Sequence, residues 1–183
     1  RDYAVTGVQT CALPISQKDL EEALEVTENA DVIVVALGEH TIESGEAASR
    51  TNLTINKRQI ELLEKLKEFN KPIVCVLFNG RPLVLDDVLD KVDGLIEAWF
   101  PGSEGALALV DILVGDVNPS GKLTMSFPMN VGQIPVYYNE FKTGRPINGS
   151  GHSSKFVSKY LDVQNEPRYP FGYGLSYTQF EYS

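Results

Sequence analysis

Residues 38–50 (GEHTIESGEAASR) contain the side chains best suited to chemistry. They include three carboxylates, Glu39, Glu43 and Glu46, and one guanidinium, that of Arg50. A carboxyl group can serve as a general acid or base when it lies next to a reacting bond. The alternative interpretation is a solvated acidic loop that Arg50 ties down.

This segment follows a predicted strand. Residues 31–37 (DVIVVAL) form an apolar run rich in β-branched residues, which is typical of a strand buried on both faces. Residues 51–55 then lead into a helical pattern. Residues 38–50 are therefore expected to form a long loop at the carboxyl end of a central strand, where open α/β sheets bind ligands. A loop without a function is usually shorter.

Composition excludes several classes of protein. The chain has 183 residues, 43% hydrophobic and 22% charged, which is typical of a globular protein with one core-forming domain. A net charge of −9 without a basic cluster argues against nucleic-acid binding. No apolar run approaches the roughly 18–20 residues of a membrane span. Cys11 and Cys75 give no disulfide framework, and His40 and His152 have no second ligand at metal spacing. We therefore expect no metal and no cofactor.

Helical and strand patterns alternate from residue 16 to residue 127. This alternation predicts an α/β fold, a three-layer α/β/α sandwich with a mostly parallel sheet. Ser16, Asn56 and Ser103 are the expected helix caps. Helices are predicted over residues 16–30, 57–69, 83–92 and 106–114, and strands over residues 32–37, 73–78, 95–100 and, as a fourth strand at the edge, 123–127.

The two ends of the chain differ from this middle part. Residues 1–16 have no helical or strand period, and residues 5–16 resemble the in-frame translation of a sequencing-library adapter. We interpret residues 1–16 as an artefact outside the fold, with a short strand over residues 3–8 as the alternative. Residues 17–130 are the predicted sandwich core. Residues 131–183 are rich in aromatic residues, glycine and proline, which predicts an irregular tail that wraps the domain or packs on a neighbouring one.

Several short runs, in order, resemble the C-terminal α/β domain of glycoside hydrolase family 3, in its bacterial periplasmic β-glucosidase branch. Each run is weak alone, but the ordered set is specific and covers residues 17–183. The runs are residues 38–39 with 45–50 (GE, GEAASR), 79–82 (NGRP), 99–105 (WFPGSEG), 115–123 (GDVNPSGKL), 126–128 (SFP), 131–138 (VGQIPVYY), 143–146 (TGRP) and 169–178 (YPFGYGLSYT).

The resemblance implies a fragment of a retaining exo-acting β-glycosidase, β-glucosidase-like, that acts on a β-linked oligosaccharide or glycoside. In that family an N-terminal (β/α)8 barrel supplies an Asp nucleophile. The sandwich domain contributes the acid/base glutamate on a loop over the barrel mouth, and a fibronectin-like domain often follows. This chain matches only the middle piece. The resemblance further implies a periplasmic or extracellular location and an inactive isolated fragment.

The resemblance also implies residue roles. Glu46 matches the family's loop glutamate and is the first choice for the acid/base, with Glu43 second because loop length varies in the family. Glu39 follows the strand directly and is expected to be structural, paired with Arg50. Trp99 and Arg50 are candidate substrate contacts, although a core tryptophan is an equal alternative for Trp99. The competing function is a non-catalytic α/β module that binds a ligand or a partner.

Overall fold

A computed structural model describes residues 15–141, 143–147 and 155–181 of the chain. The interpretation of residues 1–14, including the alternative strand, lies outside the described residues. Four α-helices and three strands are present in these ranges. In chain order they are α1 (Gln17–Thr27), β1 (Ile33–Gly38), α2 (Lys57–Lys67), β2 (Ile73–Phe78), α3 (Asp86–Leu89), β3 (Gly94–Glu97) and α4 (Gly105–Val114).

The three strands form one parallel sheet in the order β1-β2-β3. Gly38 lies opposite Phe78, and Leu77 lies opposite Glu97, so the carboxyl ends of all three strands meet at one edge. Strands β1 and β2 are short, apolar and half β-branched, as buried parallel strands often are. The predicted α/β class, with a parallel sheet flanked by helices, is confirmed.

Helix α2 packs centrally in the helical layer, in contact with both α1 and α3. Asn56 caps it, because its side chain accepts a hydrogen bond from the Arg58 backbone N–H at 2.9 Å. Leu62, Leu63 and Leu66 recur at helical spacing and are buried. Each such side chain stabilises the fold by roughly 1.5–3 kcal/mol through burial.

Three local predictions are wrong. No fourth strand forms in the described part of the chain: Phe127 makes a single antiparallel bridge with Tyr169. The prolines that follow both residues lack the N–H needed to extend a ladder. Helix α3 begins only at residue 86, because the extended Val84 donates its N–H to Leu53 O at 2.8 Å. Ser103 is not the cap of α4, which begins at residue 105 after Glu104 without a side-chain cap.

The described structure begins with the last two residues of the segment interpreted as an artefact. Ile15 is 6% exposed and belongs to the hydrophobic core. Ser16 forms a capping box with Asp19: Ser16 Oγ accepts from the Asp19 N–H at 3.2 Å, and the Ser16 N–H donates to Asp19 Oδ2 at 2.8 Å. Ile15 and Ser16 are therefore part of the fold.

The tail contacts the core at several places. Val131 and Tyr169 pack against the buried cluster, and Gln133 is itself buried. Arg168 forms an ion pair with Asp86 at the start of α3, with 2.7 Å between Nη2 and Oδ1. These contacts hold the tail on the core at residues 131–133 and 168–169.

We expect Ile15→Ala to lower the free energy of unfolding by roughly 2–5 kcal/mol, because it leaves a cavity in the core. Ser16→Ala should cost about 1 kcal/mol through loss of the cap. Urea denaturation measures both. The control is Lys18→Ala on the same helix, whose side chain is 83% exposed and whose loss should stay within about 0.5 kcal/mol. If neither variant changes the free energy of unfolding, the interpretation that residues 1–16 lie outside the fold is correct.

Candidate functional site

The ends of the three strands meet closely around Gly80. A Cβ atom at this position would lie 1.8 Å from Ser44 Oγ and 3.0 Å from Phe100 Cε2. Ser44 belongs to the loop of residues 38–50, and Phe100 follows β3. The absence of a side chain at residue 80 lets the loop lie on the turn after β2 without displacing Ser44. The predicted acidic loop therefore packs against the sheet edge.

Glu39 is the buried centre of this edge, with 1% of its side chain exposed. Its Oε1 lies 2.8 Å from Arg50 Nη1 and 3.0 Å from Arg81 Nε, and its Oε2 accepts the Gly80 N–H at 3.1 Å. A buried carboxylate is tolerated when it is ion-paired and hydrogen-bonded in this way. The predicted structural pair of Glu39 and Arg50 is confirmed.

Arg81 links this carboxylate to the loop backbone. Its Nη2 donates to the carbonyl oxygens of Glu43 and of Ala48, the latter at 2.8 Å. Sequence reasoning assigned no role to Arg81. The available signal was its place directly after β2, in a turn at the same sheet edge as the acidic loop.

Both ends of the loop are anchored. At its start, Gln59 of α2 exchanges two hydrogen bonds of 3.0 Å with the backbone N–H and carbonyl of Gly38. At its end, Leu53 and Ile55 are buried in the core. Motion of the loop is therefore confined to the residues between these anchors.

The other two carboxylates of the loop differ in their contacts. Glu43 Oε2 accepts the His40 N–H at 2.8 Å, and Glu43 Oε1 lies 3.6 Å from Arg50 Nη1. Glu46 is exposed and makes no hydrogen bond or ion pair with any residue that the structure describes. Gly45 (φ 116°) and Ala47 (φ 59°) flank it with left-handed backbone, which is unusual for alanine and common at functional sites.

Trp99 lies two residues after the end of β3, which stops at Glu97 rather than at the predicted residue 100, and its backbone is left-handed, at φ 51°. It is half-buried, and its ring centroid lies 5.8 Å from that of Phe127. The backbone N–H of Trp99 donates to Glu97 Oε1 at 2.9 Å. Arg50 is also partly covered, with 25% of its side chain exposed. The candidate substrate contacts thus present only part of each side chain to solvent.

Glu97 is a second ionisable group at this edge that sequence reasoning missed. It stands on the same face as Leu77. Burial raises the pKa of its carboxyl to about 7, against the opposing hydrogen bond from the Trp99 backbone N–H. Glu97 Oε2 and Asn79 Oδ1 are buried without a hydrogen-bond partner. The only signal in the sequence was a glutamate inside the otherwise apolar strand predicted over residues 95–100.

Within residues 15–141, 143–147 and 155–181, no group of three or more His, Cys, Asp or Glu side chains is close enough to hold a metal ion.

A comparison with protein families gives a direct match. The family model for the glycosyl hydrolase family 3 C-terminal domain matches residues 2–177. The chain belongs to this family. The match begins inside residues 1–16, the segment that sequence reasoning placed outside the fold.

Relatives of this family 3 domain include proteins named as β-glycosidases and solved structures. The periplasmic β-glucosidase of Salmonella typhimurium is 50% identical over 167 residues, 91% of this chain and 22% of that protein. A β-xylosidase of Formosa agariphila is 39% identical over 168 residues, again 91% of this chain and 22% of that protein. The crystal structure of a β-glucosidase from Listeria innocua is similar with a TM-score of 0.84 and 46% identity, covering 91% of this chain and 23% of that one. This chain therefore spans about a fifth of the length of these relatives.

The helices of this family 3 domain are short. In the parts of the chain that the structure describes, none has the length and apolar character needed to cross a membrane.

We expect the stability of this family 3 domain to depend on pH through Glu97. Its carboxyl has a pKa raised from the ordinary 4.5 to about 7, so the folded chain holds a proton that the unfolded chain releases between these values. The resulting stabilisation is complete below about pH 4.5 and is lost as the pH rises through 7, by up to about 3 kcal/mol. Glu97→Gln should abolish this loss.

Urea denaturation of both proteins at pH 5 and pH 8 measures the effect. Between pH 5 and pH 8 the free energy of unfolding of the unmutated chain should fall. That of Glu97→Gln should fall less, so the variant becomes more stable relative to the unmutated chain. Glu68→Gln, at a side chain 65% exposed, serves as the control and should show no such change. If the difference in unfolding free energy between Glu97→Gln and the unmutated chain is the same at both pH values, the raised pKa of Glu97 is contradicted.

Proposed function

We propose that this domain supplies the general acid/base of a retaining exo-acting β-glycosidase of the β-glucosidase type, and that Glu46 is that residue. One observation carries the proposal. Glu39 and Glu43 are both bound to other groups, and Glu46 alone among the three loop carboxylates is exposed without a partner in the described structure. A general acid/base must be free to reach the glycosidic oxygen.

The proposed mechanism divides the two carboxyls between domains. A retaining glycosidase needs a nucleophile and an acid/base about 5–5.5 Å apart. We assign the nucleophile to an Asp of an N-terminal (β/α)8 barrel of the same protein. Glu46 then protonates the leaving oxygen, and its carboxylate afterwards accepts a proton from the water that hydrolyses the glycosyl-enzyme. On this basis the isolated chain is not expected to turn over substrate.

The substrate class follows from the relatives. Two of them are named as a β-glucosidase and a β-xylosidase, which supports a β-linked glycoside or oligosaccharide as the substrate here. Arg50 and the exposed part of Trp99 are the proposed substrate contacts. The periplasmic relative supports a periplasmic or extracellular location. A fibronectin-like domain after residue 183 completes the proposed protein.

The test is Glu46→Ala in the full-length protein that carries this domain. Loss of general acid help should lower activity on natural disaccharides by roughly 10²–10⁴-fold. A β-glycoside with an acidic phenol as its leaving group needs little protonation and should still form the glycosyl-enzyme. Hydrolysis of that intermediate then limits turnover, and added azide should restore the rate by replacing the base-activated water.

Glu43→Ala in the same protein tests the second candidate, and it should not show the rescue by azide. If Glu43→Ala instead shows the azide-rescued pattern while Glu46→Ala keeps full activity on disaccharides, the acid/base is Glu43. If neither variant shows it, this loop is not catalytic, and the non-catalytic module becomes the better interpretation.

A further inference from the structure

We propose that Arg81 is a positioning residue that holds the loop segment carrying Glu46 in place at the sheet edge. This inference rests on the proposed acid/base role of Glu46. Arg81 would not touch the substrate. It would act through the backbone on either side of the catalytic carboxyl.

The first support is where the hydrogen bonds of Arg81 lie. The guanidinium donates from Nη2 to the carbonyls of Glu43 and Ala48. These two carbonyls bracket residues 44–47, the segment that contains Glu46. A single side chain thereby fixes both ends of a four-residue segment.

The second support is that Arg81 is itself held firmly. Its Nε lies 3.0 Å from the buried Glu39 Oε1, and only 19% of its side chain is exposed. Glu39 is fixed in turn, because its N–H continues the ladder of the sheet with a 2.8 Å hydrogen bond to Phe78 O. Arg81 therefore transmits the position of the rigid sheet to the loop.

The third support is that the bracketed segment has little to hold it from within. Its local backbone hydrogen bond, from the Ala48 N–H to Gly45 O, is long at 3.3 Å. Gly45 and Ala47 have left-handed backbone, which costs free energy for alanine and persists only when the surroundings enforce it. The Glu46 side chain has no anchoring contact in the described structure.

The chemistry of arginine suits this role. A planar guanidinium can bind the Glu39 carboxylate through Nε and two carbonyls through Nη2 at the same time. A lysine ammonium could keep the ion pair with Glu39. It lacks the fixed fork of separate nitrogens that binds the carboxylate and both carbonyls at the same time.

The experiment is Arg81→Lys in the full-length protein, assayed on aryl β-glycosides with leaving groups from acidic to weakly acidic phenols. A misplaced acid/base should lower kcat by roughly 10–100-fold for weakly acidic leaving groups, as displacements of about 1 Å can do. For the glycoside with the most acidic phenol, the rate at which the glycosyl-enzyme forms should fall less than about threefold. Adding Arg81→Lys to Glu46→Ala should cause no further loss, because both changes remove the same function.

Arg58→Lys is the matched control. Arg58 also pairs with a carboxylate, that of Glu61, but on an exposed face of α2, and this variant should match the unmutated enzyme. Thermal melting accompanies each assay. Arg81→Gln, which keeps a planar amide, is the second variant and should show the same dependence on the leaving group.

The outcomes separate the two proposals. If Glu46→Ala shows its azide-rescued pattern while Arg81→Lys and Arg81→Gln lower all substrates equally, the positioning role is overturned and the acid/base role stands. Additive losses in the double variant, or unfolding of both Arg81 variants, also overturn it, because Arg81 would then act on the fold as a whole. If Glu46→Ala lacks the pattern, the acid/base role fails and this inference fails with it.

Discussion

The buried carboxylate of Glu39 is the interaction on which the rest of the site depends. A charge that is 1% exposed is stable only with opposite charges and hydrogen bonds around it. Its partners are Arg50, at the far end of the loop, and the Gly80–Arg81 turn, which follows β2. Because each partner satisfies the same carboxylate, the loop and the turn cannot separate without leaving a buried charge unpaired. Removing one partner of such a pair typically costs about 3–5 kcal/mol.

This electrostatic centre works only because the backbone can approach it closely. A Cβ atom on Gly38 would lie 1.8 Å from Phe78 O, and one on Gly80 would overlap Ser44. The two glycines let the end of β1 and the turn after β2 lie side by side, which brings Glu39 within reach of the Gly80 N–H. The parallel sheet thus brings the charged side chains together, and their ion pairs hold the loop on the sheet.

Sequence reasoning succeeded where the signal is local. Strand β2 is reproduced residue for residue, and the caps at Ser16 and Asn56 are present, since periodicity and capping are properties of neighbouring residues. The Glu39–Arg50 pair was predictable because both charges lie within one short loop. Reasoning failed where distant segments decide. The predicted fourth strand would need pairing across more than 40 residues. In the described structure only one bridge forms, between Phe127 and Tyr169.

The same distinction explains the site residues that were missed. Arg81 is separated from Glu39 by 42 residues, and only the register of β1 on β2 brings them together. The sequence predicted that Glu97 lies in a strand, but it did not predict on which face of the sheet. That face depends on its register with Leu77. Neither register can be read from a single segment.

The arrangement gives the three glutamates of one loop different contacts. Glu39 fixes the base of the loop, and Glu43 closes its first turn through the His40 N–H. Moving Glu43 towards a substrate would break that bond and its contact with Arg50, whereas moving the Glu46 side chain breaks no contact in the described structure. Two carboxylates that hold the loop rigid leave the third free to move over a defined position. A proton-transfer group needs this combination, because it must reach a reacting atom accurately and still change its own contacts during the reaction.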